Sequence, residues 1–183
     1  MALSPFPQNQ QGWVLRMAED QDAPGILAIL NDIILTTTAV YTDRPESLEE
    51  RLVWLHHRRA LGYPVLVAEC LRDGSILGFA SFGDFRGGWA GFRHTVEHSV
   101  HVRADARGRG VGQTLVATLV EQARSRGKHV LVASVDAENA RSLHMHEKLG
   151  FTRVAHMPQV GCKFGRWLDL VVLQLVLSDD TPC

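Results

Sequence analysis

Little in this chain points to a membrane, a disulfide scaffold or a polyanionic partner. Its 183 residues hold three cysteines, Cys70, Cys162 and Cys183. An odd, scattered set gives no disulfide framework and reads as reduced thiols in a cytoplasm. Long apolar stretches are also missing. The longest, Leu168 to Leu177, is broken by Asp169 and Gln174. It is far too short to span a bilayer. Met1 to Gln11 carries two prolines and three glutamines without an apolar core, so it does not read as a secretory signal. Charge of one sign is lacking too, with 19 Lys and Arg against 20 Asp and Glu. That balance excludes general electrostatic attraction to nucleic acid or to an anionic membrane. No repeat or low-complexity segment interrupts the chain. Its length suits one domain, 1–183, with a core over about 13–177.

What is present is a globular composition, 45% apolar and 21% charged. Trp13 to Met17 reads as a first strand. A helix follows over about 22–35, with Ile26, Leu27, Leu30, Ile33 and Ile34 on one face. The β-branched run Thr36-Thr37-Thr38 ends it. Ser47 and Glu50 form a capping-box pattern for a second helix, whose stripe is Leu48, Leu52 and Leu55. Val65 to Leu71 and Ile76 to Phe82 flank Asp73-Gly74, a hairpin signal. Thr95 to Val102 is the next strand. A helix from Val111 closes near Gly127. Val130 to Val135, the helix Asn139 to Leu149, and strands at 151–156 and 168–177 complete the chain, with a loop holding Gly161 and Gly165 between the last two. The order β-α-α-β-β-β-α-β-α-β-β predicts an α/β fold, a mixed central sheet flanked by helices.

The segment Arg107-Gly108-Arg109-Gly110-Val111-Gly112 carries the chemistry. It follows a strand and opens a helix. Glycines let the backbone approach a ligand closely. Unpaired N–H groups of a first helical turn, flanked by two arginines, suit a phosphate or pyrophosphate. The plain alternative is a Gly-rich turn with solvated arginines. A P-loop is excluded because Gly112 is followed by Gln113-Thr114 rather than Lys-Ser/Thr. The dinucleotide fingerprint fails because position 113, where its third glycine belongs, is Gln.

What remains, Arg107-x-x-Gly110-x-Gly112, resembles the acetyl-coenzyme A motif of the Gcn5-related N-acetyltransferase superfamily. The stretch from Asn139 to Phe151, ending His146-Glu147-Lys148-Leu149-Gly150-Phe151, resembles that superfamily's Asn-x-x-Ala…Tyr-Glu-Lys-x-Gly-Phe helix. Within the superfamily the chain is most similar to the phosphinothricin and methionine sulfoximine acetyltransferases. Thr36 to Tyr41, Tyr63 to Glu69, Thr95 to Val102 and Gly161 to Asp169 carry that likeness. The resemblance implies a single-domain GNAT (acyl-CoA N-acyltransferase) fold. It also implies transfer of an acetyl group from acetyl-CoA to the α-amine of a small amino acid or analogue.

The resemblance also distributes roles. Glu97, a carboxylate in an otherwise apolar strand, is the candidate general base, since partial burial would raise its pKa. The plain alternative is a surface glutamate paired with Arg93 or Arg103. Val100, His101 and Val102 would meet the cofactor through main-chain groups freed where their strand splays from its neighbour, one N–H polarising the thioester carbonyl. Gly108 to Gln113, including Arg109 and Val111, would hold the pyrophosphate, with Arg107, Asn139 and Lys148 beside it. His146 stands where the superfamily has Tyr and is the candidate proton donor to the departing thiolate; a merely packed histidine is the alternative. Thr38, Tyr41, Arg86, Trp89, Phe92, Glu97, His98 and Ser99 would line the acceptor site, Arg86 pairing with a carboxylate. Gly87-Gly88 makes the Arg86–Trp89 loop one residue longer than the family's Arg-Pro-Trp, and Cys162 replaces a common Tyr.

No cysteine lies in either motif, which favours direct transfer over an acetyl-enzyme. The histidines lack metal-site spacing: His94 and His98 share strand parity, His101 does not, and no second histidine follows His146-Glu147. No metal is expected. By analogy the chain is a homodimer acting on a small-molecule amine. Two alternatives stay open at this point: an acetyltransferase for a protein N-terminus or polyamine, and an acyl-CoA-binding module without chemistry.

Overall fold

The computed structural model describes residues 12–87 and 89–178. Met1 to Gln11, Gly88 and Cys183, read above from sequence, lie outside the described residues. Seven strands and four α-helices follow the expected order: β1 Trp13–Met17, α1 Ala23–Thr36, α2 Leu48–Ala60, β2 Val65–Cys70, β3 Ile76–Asp84, β4 Thr95–Val102, α3 Val111–Arg124, β5 Val130–Asp136, α4 Ala140–Lys148, β6 Thr152–Lys163 and β7 Arg166–Val176. They form one sheet in the order β1-β2-β3-β4-β5-β7-β6. Only β4 and β5 run parallel among its pairs.

Side-chain alternation divides the core in two. Val65 and Val67 of β2 join Ile26, Ile29, Leu30, Ile33, Ile34 and Leu55 under α1 and α2. Leu66 and Ala68 point the other way, with Leu115, Leu119, Leu131 and Phe151, under α3 and α4. In α1 it is Ile29, rather than the expected Leu27, that reaches the core. The capping box at Ser47 and Glu50 forms as expected. The buried stripe of α2 differs: Leu48 is exposed, while Arg51 and Leu55 are buried. Arg51 escapes an unpaired charge by bonding Glu46 and lying 4.3 Å over the Trp54 ring.

The expected loop at Gly161 is strand. β6 runs on to Lys163, bulging between Met157 and Gly161, and the hairpin turns at Phe164-Gly165. Periodicity hid it because β6 is an exposed edge, with most of its residues facing solvent on both sides. This long arm has a purpose in the fold. Buried Lys163 donates through Nζ to the carbonyls of Thr37 (2.6 Å) and Val40 (2.8 Å). Tyr41 donates its hydroxyl to the Asp169 carbonyl (2.8 Å), and its ring packs where a Cβ on Gly161 would stand. The segment after α1 is thereby pinned to the β6–β7 arm.

Helix α3 crosses β3 at Gly78. A Cβ there would stand 2.9 Å from the His101 carbonyl and 3.2 Å from a Val111 methyl. Gly78→Ala is therefore expected to cost on the order of 1–3 kcal/mol through overpacking. Urea denaturation measures it; an unchanged midpoint would show that the crossing has slack.

Candidate active site

The site forms where the sheet forks. β4 pairs with β5 only from Thr95–Val130 to His98–Ala133. Beyond that point β4 continues beside β3 to Val102, and β5 continues beside β7 to Asp136. The β5-facing edge of Ser99 to Val102 is left without a strand partner. Such an edge offers main-chain N–H and C=O groups to a ligand. Two adjoining cavities open at the fork.

The larger cavity, about 720 Å³, is lined by Thr37 to Ala39, Val100 to Val102, Arg107, Gly108, Gly110 to Gln113, Asn139, Arg141 and Lys148, among others. Gly108 (φ 82°) and Gly110 (φ 77°) take left-handed backbone, which a side chain would oppose. Gly110 caps α3, so the first N–H groups of that helix face the cavity. Gly112 lies inside the first turn, where a Cβ would touch Val102 and Met145. Asn139 caps α4 by accepting from the Ser142 N–H at 3.1 Å. Arg107 Nε donates to the Val102 carbonyl (3.3 Å), tying the glycine turn to the strand end. Arg141, which sequence reading missed, stands beside Gly108. A narrow, backbone-lined channel with basic flanks fits an elongated, phosphorylated ligand such as acetyl-CoA. Of the residues expected there, Arg109 is absent from the lining.

The second cavity, about 370 Å³, holds Glu97, Ser99, Ser134 and Asp136 with Arg58, Ser81, Gly83, His98 and His146. Alternation along β4 sends Glu97 and Ser99 to one face of the sheet and His98 to the other. Glu97 is half-buried. Its Oε1 accepts a 2.5 Å hydrogen bond from the Ser134 hydroxyl, from the neighbouring strand, in place of the Arg93 or Arg103 pairing. Asp136, buried at the end of β5, accepts from the Glu138 N–H through Oδ1 and leaves Oδ2 without a partner. Neither Ser134 nor Asp136 carried a sequence signal.

His98 and His146 pack at the fork with ring centroids 5.1 Å apart, both against Phe151. His146 Nδ1 lies 2.7 Å from the Ser142 carbonyl, which can only accept, so Nδ1 carries the proton. Nε2 is then a bare acceptor, buried without a partner. Burial lowers the pKa of His146 against the opposing pull of that carbonyl. Burial, with His146 and His101 nearby, pushes His98 down to about 3. His101, tilted on Phe79, is pushed down to about 4 by burial and by Arg51.

Four expected acceptor-site residues are not brought to either cavity. Tyr41 spends its hydroxyl on Asp169. Arg86 is exposed, at φ 51°, and stacks over Phe85 and Phe92 at 5.7 and 5.9 Å. Trp89 is 73% exposed. Phe92 packs edge-on to Phe85. Thr38 lies in the larger cavity rather than in the smaller one with Glu97 and Ser99. Among the described residues no group of three His, Cys, Asp or Glu side chains gathers to hold a metal.

Known proteins share this arrangement. The profile of the acetyltransferase (GNAT) family matches residues 26–151. An L-amino acid N-acyltransferase, MnaT of Escherichia coli, is 47% identical over 91% of this chain and 95% of its own. The L-methionine sulfoximine/L-methionine sulfone acetyltransferase of Salmonella typhimurium is 48% identical over 90% of this chain and 95% of its own. The structure of yncA from Salmonella typhimurium, with its cofactor acetyl-CoA, superposes with a TM-score of 0.90 at 46% identity, covering 93% of this chain and 97% of that one.

The three neutral histidines make stability pH-dependent in a defined direction. In the unfolded chain they take up protons near pH 6.5, while in the fold they resist until lower pH. Their contribution is complete above pH 6.5 and is lost as pH falls toward 4, by up to ~1.4 kcal/mol per pH unit for each. Urea melts between pH 7 and 5 should show that decline, and a shallower one for His98→Asn. Parallel declines would remove His98 from the account.

Proposed function

This chain belongs to the acetyltransferase (GNAT) family, and we propose that it acetylates the α-amine of small amino acids and of their sulfoximine, sulfone and phosphinate analogues. It is an acetyl-CoA-dependent N-acetyltransferase. When bound, acetyl-CoA supplies the acetyl thioester. The observation that carries the acceptor reading is Glu97, a half-buried carboxylate at the mouth of the fork, oriented by Ser134. The names of the two relatives support the same class of acceptor.

The chain's own groups divide the work. N–H groups from Gly110 to Gln113 hold the pyrophosphate, with Arg107, Arg141 and Lys148 supplying positive charge. The free edge of Ser99 to Val102 aligns the thioester and donates an N–H to its carbonyl. Glu97 accepts the proton that the acceptor ammonium must lose before it attacks, through the oxygen that Ser134 leaves open. His146 starts neutral with Nε2 bare. It serves as a relay at that nitrogen, taking up the second proton that the acceptor nitrogen loses as the amide forms and passing it to the departing sulfur. Neither Cys70 nor Cys162 lines the cleft, which supports direct transfer without an acetyl-cysteine.

The same reading makes the protein a cytoplasmic homodimer. Support comes from Trp167, Phe164, Val160 and Met157, exposed large apolar residues along the β6–β7 arm. No helix among the described residues is long and apolar enough to cross a membrane. Sedimentation should return twice the mass of 20.3 kDa at micromolar concentration; a monomer would overturn this part.

A coupled thiol-release assay over free amino acids, their sulfone and sulfoximine analogues, peptides and polyamines tests the acceptor class. Turnover should concentrate on free amino acids. Glu97→Gln is expected to lower kcat by about 10²-fold or more and to leave acetyl-CoA affinity unchanged by calorimetry. Unaltered kcat removes Glu97 from proton transfer. Tight acetyl-CoA binding with no thiol release over the whole panel leaves a binding module.

A further inference from the structure

The acceptor cavity contains one arginine, and sequence reading assigned it nothing. Arg58 sits on α2 three residues after buried Leu55, and therefore on the side of the helix that meets the sheet. Its guanidinium lies against the bare backbone of Gly83, where an added Cβ would collide with Nη1 and Cζ. Gly83 is the cross-strand partner of Glu97. Partners directly opposite on antiparallel strands send their side chains to the same face. The guanidinium thus lies over Gly83, whose strand runs ~4.8 Å from that of Glu97, on the face from which the Glu97 carboxylate rises.

The charge around Arg58 is incompletely matched. Its guanidinium makes no hydrogen bond or ion pair among the described residues, and its Nε is buried without a partner. Its ring neighbour, Trp54, is 5.8 Å away. Asp84 contributes attraction from a distance, but it already accepts the Tyr63 hydroxyl. Burial is the main influence on Arg58 and pulls its pKa down. No other Arg or Lys lines this cavity, and the cavity's histidines are held neutral by burial. Arg86, the expected carboxylate partner, stacks on phenylalanines outside it.

We propose that Arg58 reads the α-carboxylate of the acceptor, with Gly83 kept bare to admit its guanidinium. The assignment rests on the amino-acid reading above. An α-amino acid bears its amine and its carboxylate on one carbon, so the groups that recognise them must be neighbours. Glu97 and Arg58 are such a pair. A guanidinium with free donors matches a carboxylate through two parallel hydrogen bonds. It also predicts discrimination against polyamines, which bring a second cation rather than an anion to this wall.

The test compares methionine sulfone with its carboxamide as acceptors for the wild type, Arg58→Gln, Arg58→Lys and Gly83→Ala. The wild type should favour the free acid by about 10- to 100-fold in kcat/KM, mostly through KM. Arg58→Gln should bring the acid down to the amide and leave the amide nearly unchanged. Gly83→Ala keeps the charge but displaces it, and should give the same loss of preference; Arg58→Lys should restore part of it. Acetyl-CoA affinity and melting temperature check that each variant is folded, and Gly83→Ala and Arg58→Lys decide the matter should Arg58→Gln not fold. Equal losses for acid and amide would show that Arg58 contacts the acceptor side chain or only supports the fold, and would overturn the assignment. So would a preference for the acid that survives in all three variants. Failure of the amino-acid reading itself appears separately, as a wild type that acetylates no free amino acid, and the assignment then falls with it.

Discussion

The separation of β4 from β5 beyond His98 is the constraint on which the rest of this structure depends. A continuous sheet would satisfy every main-chain group of Ser99 to Val102 internally and leave nothing for a ligand to bind. The fork is maintained from both sides. β4 stays registered with β3 to Val102, and β5 with β7 to Asp136, so each half of the sheet completes its own ladder. Three rings, His98, His146 and Phe151, pack together at the vertex. The unpaired edge persists because neither strand can turn back toward the other without breaking the ladder on its far side.

That vertex joins two environments. On the α3–α4 face the surroundings are apolar, and desolvation outweighs the small attraction available to a charged imidazole there. The histidines therefore stay neutral. On the α1–α2 face the cavity is polar, with Glu97, Asp136 and Arg58 around Ser81, Ser99 and Ser134. In the proposed reaction a substrate ammonium would meet carboxylates and a guanidinium on one side of the fork and a neutral nitrogen base on the other. This asymmetry suits a reaction that removes a proton from the acceptor and delivers one to the leaving group. The roof of the site is separately tethered. Lys163 and the Asp169 carbonyl, which accepts from Tyr41, fix the segment after α1 from more than a hundred residues away, which keeps the residues shared by the two cavities in place.

Local signals were enough for the scaffold. The capping box at Ser47, the threonine run ending α1, the Asp73-Gly74 hairpin and the glycine turn before α3 each rest on interactions within a few residues. Glu97 was legible as a carboxylate in an apolar strand, and Asn139 as the start of a helix that resembles a family motif. What depends on packing between distant segments was not legible. Arg58 and Arg51 look like the solvated face of a charged helix, and only packing shows that they point to the sheet. Ser134 and Asp136 matter because β5 lies beside β4, which no local pattern encodes. Tyr41 was placed in the acceptor site by resemblance, but a contact 128 residues along the chain claims its hydroxyl. Edge strand β6 escaped because exposure on both faces erases the alternation by which strands are recognised.

By itself, the sequence determined the order of elements, the glycine turn that opens α3 and the carboxylate that precedes it. Those depend on backbone conformation and short-range hydrogen bonding, which a few adjacent residues control. Tertiary structure alone decided which side chains share the cavity. It opened the sheet, turned Arg58 onto Gly83, set Ser134 against Glu97 and kept the histidines uncharged. Proximity across strands and the exclusion of water are properties of the packed chain, and they arise only when distant segments meet.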